Sequence, residues 1–194
     1  MRLEEYDRAE GRKVWLSKQE VELLLSEVTD MRRSIAIGLG VRCGLRAAEI
    51  VAVTPADLAT HDTGPRVRVE QGKGGQYREV PLPIALHSSL QAFSQAQGLA
   101  PDASIVGRST RSIERWVSHV ADTLRVETKD EGWKYLGPHD LRRTWGTILV
   151  AERVEPGLIM SWGGWDNWET FREHYLGAYS PDMERKEMDK VPWL

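Results

Sequence analysis

The hydrophobic pattern along this chain changes period twice. Near the start Val21, Leu24, Leu25 and Val28 recur at helical spacing and predict an amphipathic helix. Its beginning is marked as well: Ser17 and Glu20 fit a capping box, with Leu16 and Val21 placed as a hydrophobic staple. Ser34 to Cys43 is apolar nearly all round, the pattern of a buried helix. Gly44 breaks that run, and Leu45-Arg46-Ala47-Ala48-Glu49-Ile50 restarts a helix. Thr54-Pro55-Ala56-Asp57 reads as a further cap, with proline at the first helical position.

The period then switches to two. Arg66-Val67-Arg68-Val69-Glu70 alternates, Tyr77 to Leu82 is a second extended run, and Gly72-Lys73-Gly74-Gly75 lies between them. A β-hairpin with a long loop is expected. Helical stripes resume at Ile113, Trp116, Val117, Val120 and Leu124, and again at Leu141, Thr144, Trp145, Ile148 and Leu149. Gly163-Gly164 interrupts the chain before a short helix carrying Trp168, Phe171 and Tyr175. A charged helix is expected from Ser180-Pro181. The predicted fold is α+β and mainly α-helical, with one small antiparallel sheet or hairpin and no internal repeat. Residues 1–13 read as a polar lead-in or linker.

Composition changes this picture little. A chain of 194 residues, 41 % hydrophobic and 28 % charged, suits one globular domain with a core large enough to need no staples. Its one cysteine, Cys43, excludes an internal disulfide and reads as a small buried hydrophobe. No signal peptide or run of roughly 20 apolar residues is present, so an intracellular protein with no membrane partner is expected. A net charge of −3 means that any nucleic-acid binding must come from local clusters of Lys and Arg. It also predicts modest, salt-sensitive nonspecific affinity.

Several chemistries can be set aside. The five histidines, His61, His87, His119, His139 and His174, never fall at paired ligand spacing, and no CxxC occurs, so no metal site is expected. The Lys73 loop lacks the frame of a nucleotide-binding P-loop, and no Gly-x-Ser-x-Gly turn appears. Four local patterns remain. Each has a plain structural reading: Arg46 with Glu49 three residues on as a helix ion pair, Lys73 as a solvated loop residue, His139 and Arg142 as one face of a helix start, and Gly163-Gly164-Trp165 followed by Tyr175 as aromatic packing.

In their order along the chain, Arg46, Lys73, His139-x-x-Arg142, Trp165 and Tyr175, these patterns resemble the catalytic domain of the tyrosine recombinases, the phage integrase family. That family carries Gly-Leu-Arg-x-x-Glu, a lysine between two strands, His-x-Leu-Arg, Gly-His/Trp and a nucleophilic tyrosine. The resemblance runs from about Val14 to Tyr175. It implies a site-specific recombinase that cuts and rejoins double-stranded DNA through a 3′-phosphotyrosine bond, without metal, ATP or other cofactor. Arg46 and Arg142 would hold the phosphate, because a guanidinium fork fits its oxygens and keeps its charge. Tyr175 would be the nucleophile and Lys73 the general acid. His139 would assist proton transfer, Trp165 would donate its indole N–H, and Glu49 would orient Arg46.

One spacing departs from the family. Tyr175 lies ten residues after Trp165, one more than relatives usually show, and His174 takes the usual position. An extra residue near Asp166-Asn167, with Asp166 and Glu169 capping the next helix, would account for it; Tyr179 is the alternative nucleophile, and Trp162 the alternative to Trp165. Arg108, Arg111 and Arg115 read as phosphate contacts or, equally, as a solvated helix face. The resemblance further implies a catalytic domain over 14–180 and a tail helix over 181–194, with Met183, Met188 and Trp193 available to dock in a neighbouring subunit or, as the plain alternative, against their own domain. It also implies a homo-oligomer, a tetramer, on DNA and an N-terminal core-binding domain missing from this chain. Two other functions fit the same residues: type IB topoisomerase-like relaxation, and a DNA-binding regulator without activity.

Overall fold

Helices with one apolar stripe leave water most completely by closing around a helix that is apolar on every side. In the computed structural model that central element is α2 (Met31–Cys43), in which Ile35 to Val41 and Cys43 are all buried. Around it pack α1 (Lys18–Ser26), α3 (Ala47–Ala52), α4 (Ile84–Ala96), α5 (Thr110–Thr128) and α6 (Pro138–Ala151). The structure describes residues 1–5, 11–70, 77–175, 188–191 and 193, with Thr170 and residues 173–175 described by backbone alone.

Local signals explain the helix ends. The capping box before α1 forms as expected: the Ser17 hydroxyl accepts from the Glu20 N–H, and the Glu20 carboxylate accepts from the Ser17 N–H at 2.7 Å. The stripe of α5 is buried at Ile113, Val117, Val120 and Leu124. In α6, Leu141, Thr144 and Trp145 are buried, while Ile148 and Leu149 are half-buried. The Thr54-Pro55 cap opens a single 3-10 turn, Pro55–Asp57. Helix α4, with Leu90 fully buried and Leu86 and Phe93 packed on the core, is an addition to the expected elements.

The expected hairpin is present within a larger sheet. Strands β4 (Gly64–Val69) and β5 (Arg78–Pro81) pair antiparallel, and β3 (Leu58–His61) adds a third strand beside β4. The register sets Val67 opposite Val80 and Val69 opposite Arg78. Because side chains alternate between the two faces, Arg78 shares the buried face with these valines.

A second difference lies at the start of the chain. The stretch read as a lead-in contains β1 (Arg2–Glu5), which pairs antiparallel with β2 (Arg12–Trp15). Its anchor is tertiary: Val14 and Trp15 are buried, and β2 lies along the first turns of α6. There the Val14 N–H donates to Asp140 Oδ1 at 3.1 Å and the Leu16 N–H to Thr144 Oγ1 at 3.1 Å. Two short helices, α7 (Pro156–Gly163) and α8 (Trp168–Tyr175), follow α6 and pack against it. The helix expected from Ser180 lies outside the described residues, apart from a short piece at 188–191. Among the described residues no helix is long and apolar enough to cross a membrane.

Candidate active site

Three breaks in the helical pattern converge at one end of α6. The first is Gly44, which ends α2 with φ +65°, a left-handed conformation that favours glycine. A Cβ there would also lie 2.2 Å from Cε3 of Trp145, so the position excludes any side chain. Arg46, two residues on, is the N-cap of α3. Its own N–H donates to Glu49 Oε2 at 2.8 Å and its guanidinium to Glu49 Oε1 at 2.8 Å. The Glu49 side chain is 3 % exposed and that of Arg46 30 %, so the carboxylate is the fixed member of the pair and the arginine reaches outward.

The second break is the start of α6, where Gly137 is the N-cap and Pro138 the first helical residue. Asp140 Oδ2 accepts from the Gly137 N–H at 2.9 Å, while its other oxygen takes Val14 N–H and the guanidinium of Arg143. Burial pushes the Asp140 carboxyl up, and these three donors offset only part of that. His139 is exposed, as a helix-start residue usually is. Arg142, one turn on, is 1 % exposed rather than on an open helix face. Its Nη1 donates to the Gly44 carbonyl and its Nη2 to the Gly163 carbonyl, both at 2.6 Å. The structure therefore satisfies this buried charge with backbone oxygens from the two glycine breaks that flank it.

The third break is the end of α7. Gly164 closes it in the left-handed region, and the Trp165 N–H donates back to the Met160 carbonyl at 3.0 Å, a Schellman-type ending. A Cβ on Gly163 would lie 2.0 Å from Cζ3 of Trp165, so this glycine lets the indole fold down onto the turn. The Trp165 ring then sits 4.1 Å from the Arg142 guanidinium, a cation–π contact. Trp165 also stacks on Trp145 at 5.9 Å and packs against Phe171 at 5.2 Å, and Phe171 touches Trp168 at 5.8 Å. This aromatic row fixes the start of α8. Its helical hydrogen bonding opens at Asn167, whose carbonyl accepts from the Phe171 N–H at 3.1 Å, one residue later than the expected Asp166. Tyr175 is the last residue of α8, one turn beyond Phe171.

The structure thus gathers Arg46, Glu49, His139, Arg142 and Trp165 on neighbouring segments. The Tyr175 side chain, and the whole of Lys73 and Tyr179, lie outside the described residues. Trp162 is half-buried and enters the network through its backbone carbonyl, which accepts from Arg78 Nε at 2.8 Å. Arg108, Arg111 and Arg115 stand exposed around the start of α5; Arg108 donates to its neighbour's carbonyl at Gly107.

One residue was missed from sequence. Arg78 on β5 is buried and donates from Nη2 to Glu49 Oε2 at 2.8 Å. Burial pushes the Glu49 carboxyl up, but the hydrogen bonds and charges of Arg78 and Arg46 outweigh it and hold the group below its ordinary range. Two guanidiniums, Arg46 and Arg78, share this one carboxylate, and Arg142 is held by backbone carbonyls alongside, so the centre carries positive charge suited to an anion. Among the described residues no group of three or more His, Cys, Asp or Glu is placed to hold a metal ion.

Residues 14–180 match the phage integrase family, and the chain is a member of it. It is similar to a tyrosine recombinase of Pseudothermotoga lettingae, 28 % identical over 179 residues that cover 91 % of this chain and 59 % of the relative. A tyrosine recombinase of Thermosipho africanus is 25 % identical over 164 residues, 80 % of this chain and 54 % of that protein. The chain therefore spans little more than half the length of these relatives. In structure it resembles the XerA recombinase, with a TM-score of 0.72 at 19 % identity over 91 % of this chain and 64 % of the other. It also resembles the Tn1549 transposon integrase in complex with a circular intermediate DNA, with a TM-score of 0.74 at 18 % identity over 96 % and 68 %. These likenesses establish the mainly helical α+β fold of tyrosine recombinase catalytic domains.

Proposed function

We propose that this chain is the catalytic domain of a site-specific DNA recombinase that cleaves and rejoins strands through a 3′-phosphotyrosine. The observation that carries the reading is the bridge made by Arg142 between the Gly44 and Gly163 carbonyls. It ties the segment bearing Arg46 to the segment bearing Trp165, and it supports a site built to hold one phosphate between two arginines.

In this reading Tyr175 Oη attacks the phosphorus as the phenolate, forming a P–O bond while the bond to the 5′-oxygen breaks. Charge builds on the nonbridging oxygens, and Arg46 and Arg142 stabilise it more in the transition state than in the ground state. Lys73 gives its proton to the departing 5′-oxygen, His139 assists, and Trp165 donates its indole N–H to a phosphate oxygen. The covalent link conserves the bond energy, so attack by a 5′-hydroxyl reverses the step and reseals DNA. Exposed Arg108, Arg111 and Arg115 contact flanking phosphates. We assign the tail, residues 181–194, to exchange between subunits of a DNA-bound tetramer, and the protein to an intracellular compartment.

The test is to mix the protein with supercoiled plasmid in EDTA, quench with detergent and detect protein covalently joined to DNA. Wild type yields an adduct that Tyr175→Phe loses and Tyr179→Phe keeps. Loss in Tyr179→Phe alone reassigns the nucleophile, and no adduct from wild type overturns the reading.

A further inference from the structure

The role of Arg78 follows from what its buried guanidinium joins. The side chain is 7 % exposed and Glu49 3 %, so their contact is screened little by water. Nη2 holds Glu49 Oε2 and Nε holds the Trp162 carbonyl, each at 2.8 Å. A Cβ on Gly164 would sit 3.1 Å from Arg78 Cδ, so the aliphatic stem lies against the turn that leads into Trp165. One side chain therefore connects the three-stranded sheet, the Arg46–Glu49 pair of α3 and the end of α7.

Charge gives the second half. With Arg46 alone, Glu49 forms a neutral pair, and the carboxylate draws the Arg46 guanidinium inward and cancels its field. A second guanidinium on the same carboxylate leaves one net positive charge, and the exposed partner, Arg46, is the one able to present it. We propose that Arg78 is a positioning residue of the phosphate site, balancing Glu49 so that Arg46 faces the phosphate with its charge intact, and holding the α7 turn at a fixed distance from α3. The proposal rests on the recombinase reading.

Arg78→Met and Arg78→Lys separate this role from simple packing. Methionine fills much of the volume without charge. Lysine restores the charge on Glu49 yet places a single nitrogen where two separated donors worked, and its buried ammonium is the costlier to desolvate. Adduct formation on supercoiled plasmid is measured at saturating protein, with noncovalent DNA affinity and melting temperature recorded for each variant. Arg78→Met slows the adduct about tenfold or more, the scale of small misplacements at a reacting centre, at unchanged affinity. Arg78→Lys falls between Met and wild type although it melts no higher than Arg78→Met. Rates that follow melting temperature through the series, or an Arg78→Met rate equal to wild type, overturn the proposal alone. A wild type that forms no adduct removes the recombinase reading and this role with it.

Discussion

Replacing Gly44 by alanine tests whether the end of α2 is shaped for the site or merely for the turn. Two costs are separable. At φ +65° an L-residue loses roughly 1–2 kcal/mol relative to glycine. The new Cβ would also lie 2.2 Å from Cε3, 2.5 Å from Cδ2 and 2.8 Å from Cζ3 of Trp145. That ring is 5 % exposed and stacked on Trp165, so it cannot swing away freely, and overpacking of this kind costs about 1–3 kcal/mol. The sum is about 2–5 kcal/mol. At roughly 2–4 °C per kcal/mol for a chain of this size, the melting temperature drops by roughly 4–20 °C. Gly98→Ala is the internal control, because Gly98 has φ +59° and a Cβ added there would meet nothing within 4 Å; it carries the backbone cost without the clash. Urea unfolding of both variants isolates the difference. The Gly44 variant also forms less adduct, since its carbonyl holds Arg142. Equal destabilisation of the two variants would refute the claim that the indole's close approach constrains Gly44.

Three further outcomes are expected. Arg142→Lys offers one nitrogen to two carbonyls on separate turns, so adduct formation falls roughly 10²–10³-fold, the loss seen when a transition-state donor is removed, and single-turnover rates on plasmid measure it. Glu49 has a folded-state pKa held below its ordinary value of 4.5, so its ionisation favours the fold above that value and the advantage is lost as pH falls through the depressed folded value. Denaturation across this acid range shows the stability gap between wild type and Glu49→Gln narrowing as pH falls; a constant gap contradicts the linkage. Cys43 is fully buried and its thiol is pushed up by burial, so an aromatic disulfide reagent near neutral pH reacts only as fast as the protein unfolds. Fast labelling of native protein would contradict the central placement of α2.

What was legible in the sequence were features whose cause is local or periodic. The Ser17–Glu20 box, the all-round apolar face of α2, the break at Gly44 and the stripes of α5 and α6 each follow from neighbours within two turns. Strand β1, Arg2-Leu3-Glu4-Glu5, carries no such signal, because it is a polar edge strand held by pairing with β2, which itself depends on hydrogen bonds to α6 more than a hundred residues away (126 between Val14 and Asp140). Helix α4 did have a stripe, Leu86, Leu90 and Phe93, at helical spacing. Arg78 is the instructive case. Alternation from Val80 already puts it on the inward face of β5, and an arginine on an apolar face requires acceptors for its charge, a carboxylate or backbone carbonyls. The carboxylate, Glu49, is 29 residues earlier, on α3, and only the fold brings the two together. The proposed site shows the same division: its candidates Arg46, His139, Arg142 and Trp165 stand out by their order along the chain. The Gly44 and Gly163 carbonyls that hold Arg142 do not, since every residue has a carbonyl and none is marked by its side chain. Order in sequence names the candidates for a phosphate site; the backbone breaks determine where Arg142 and Trp165 point.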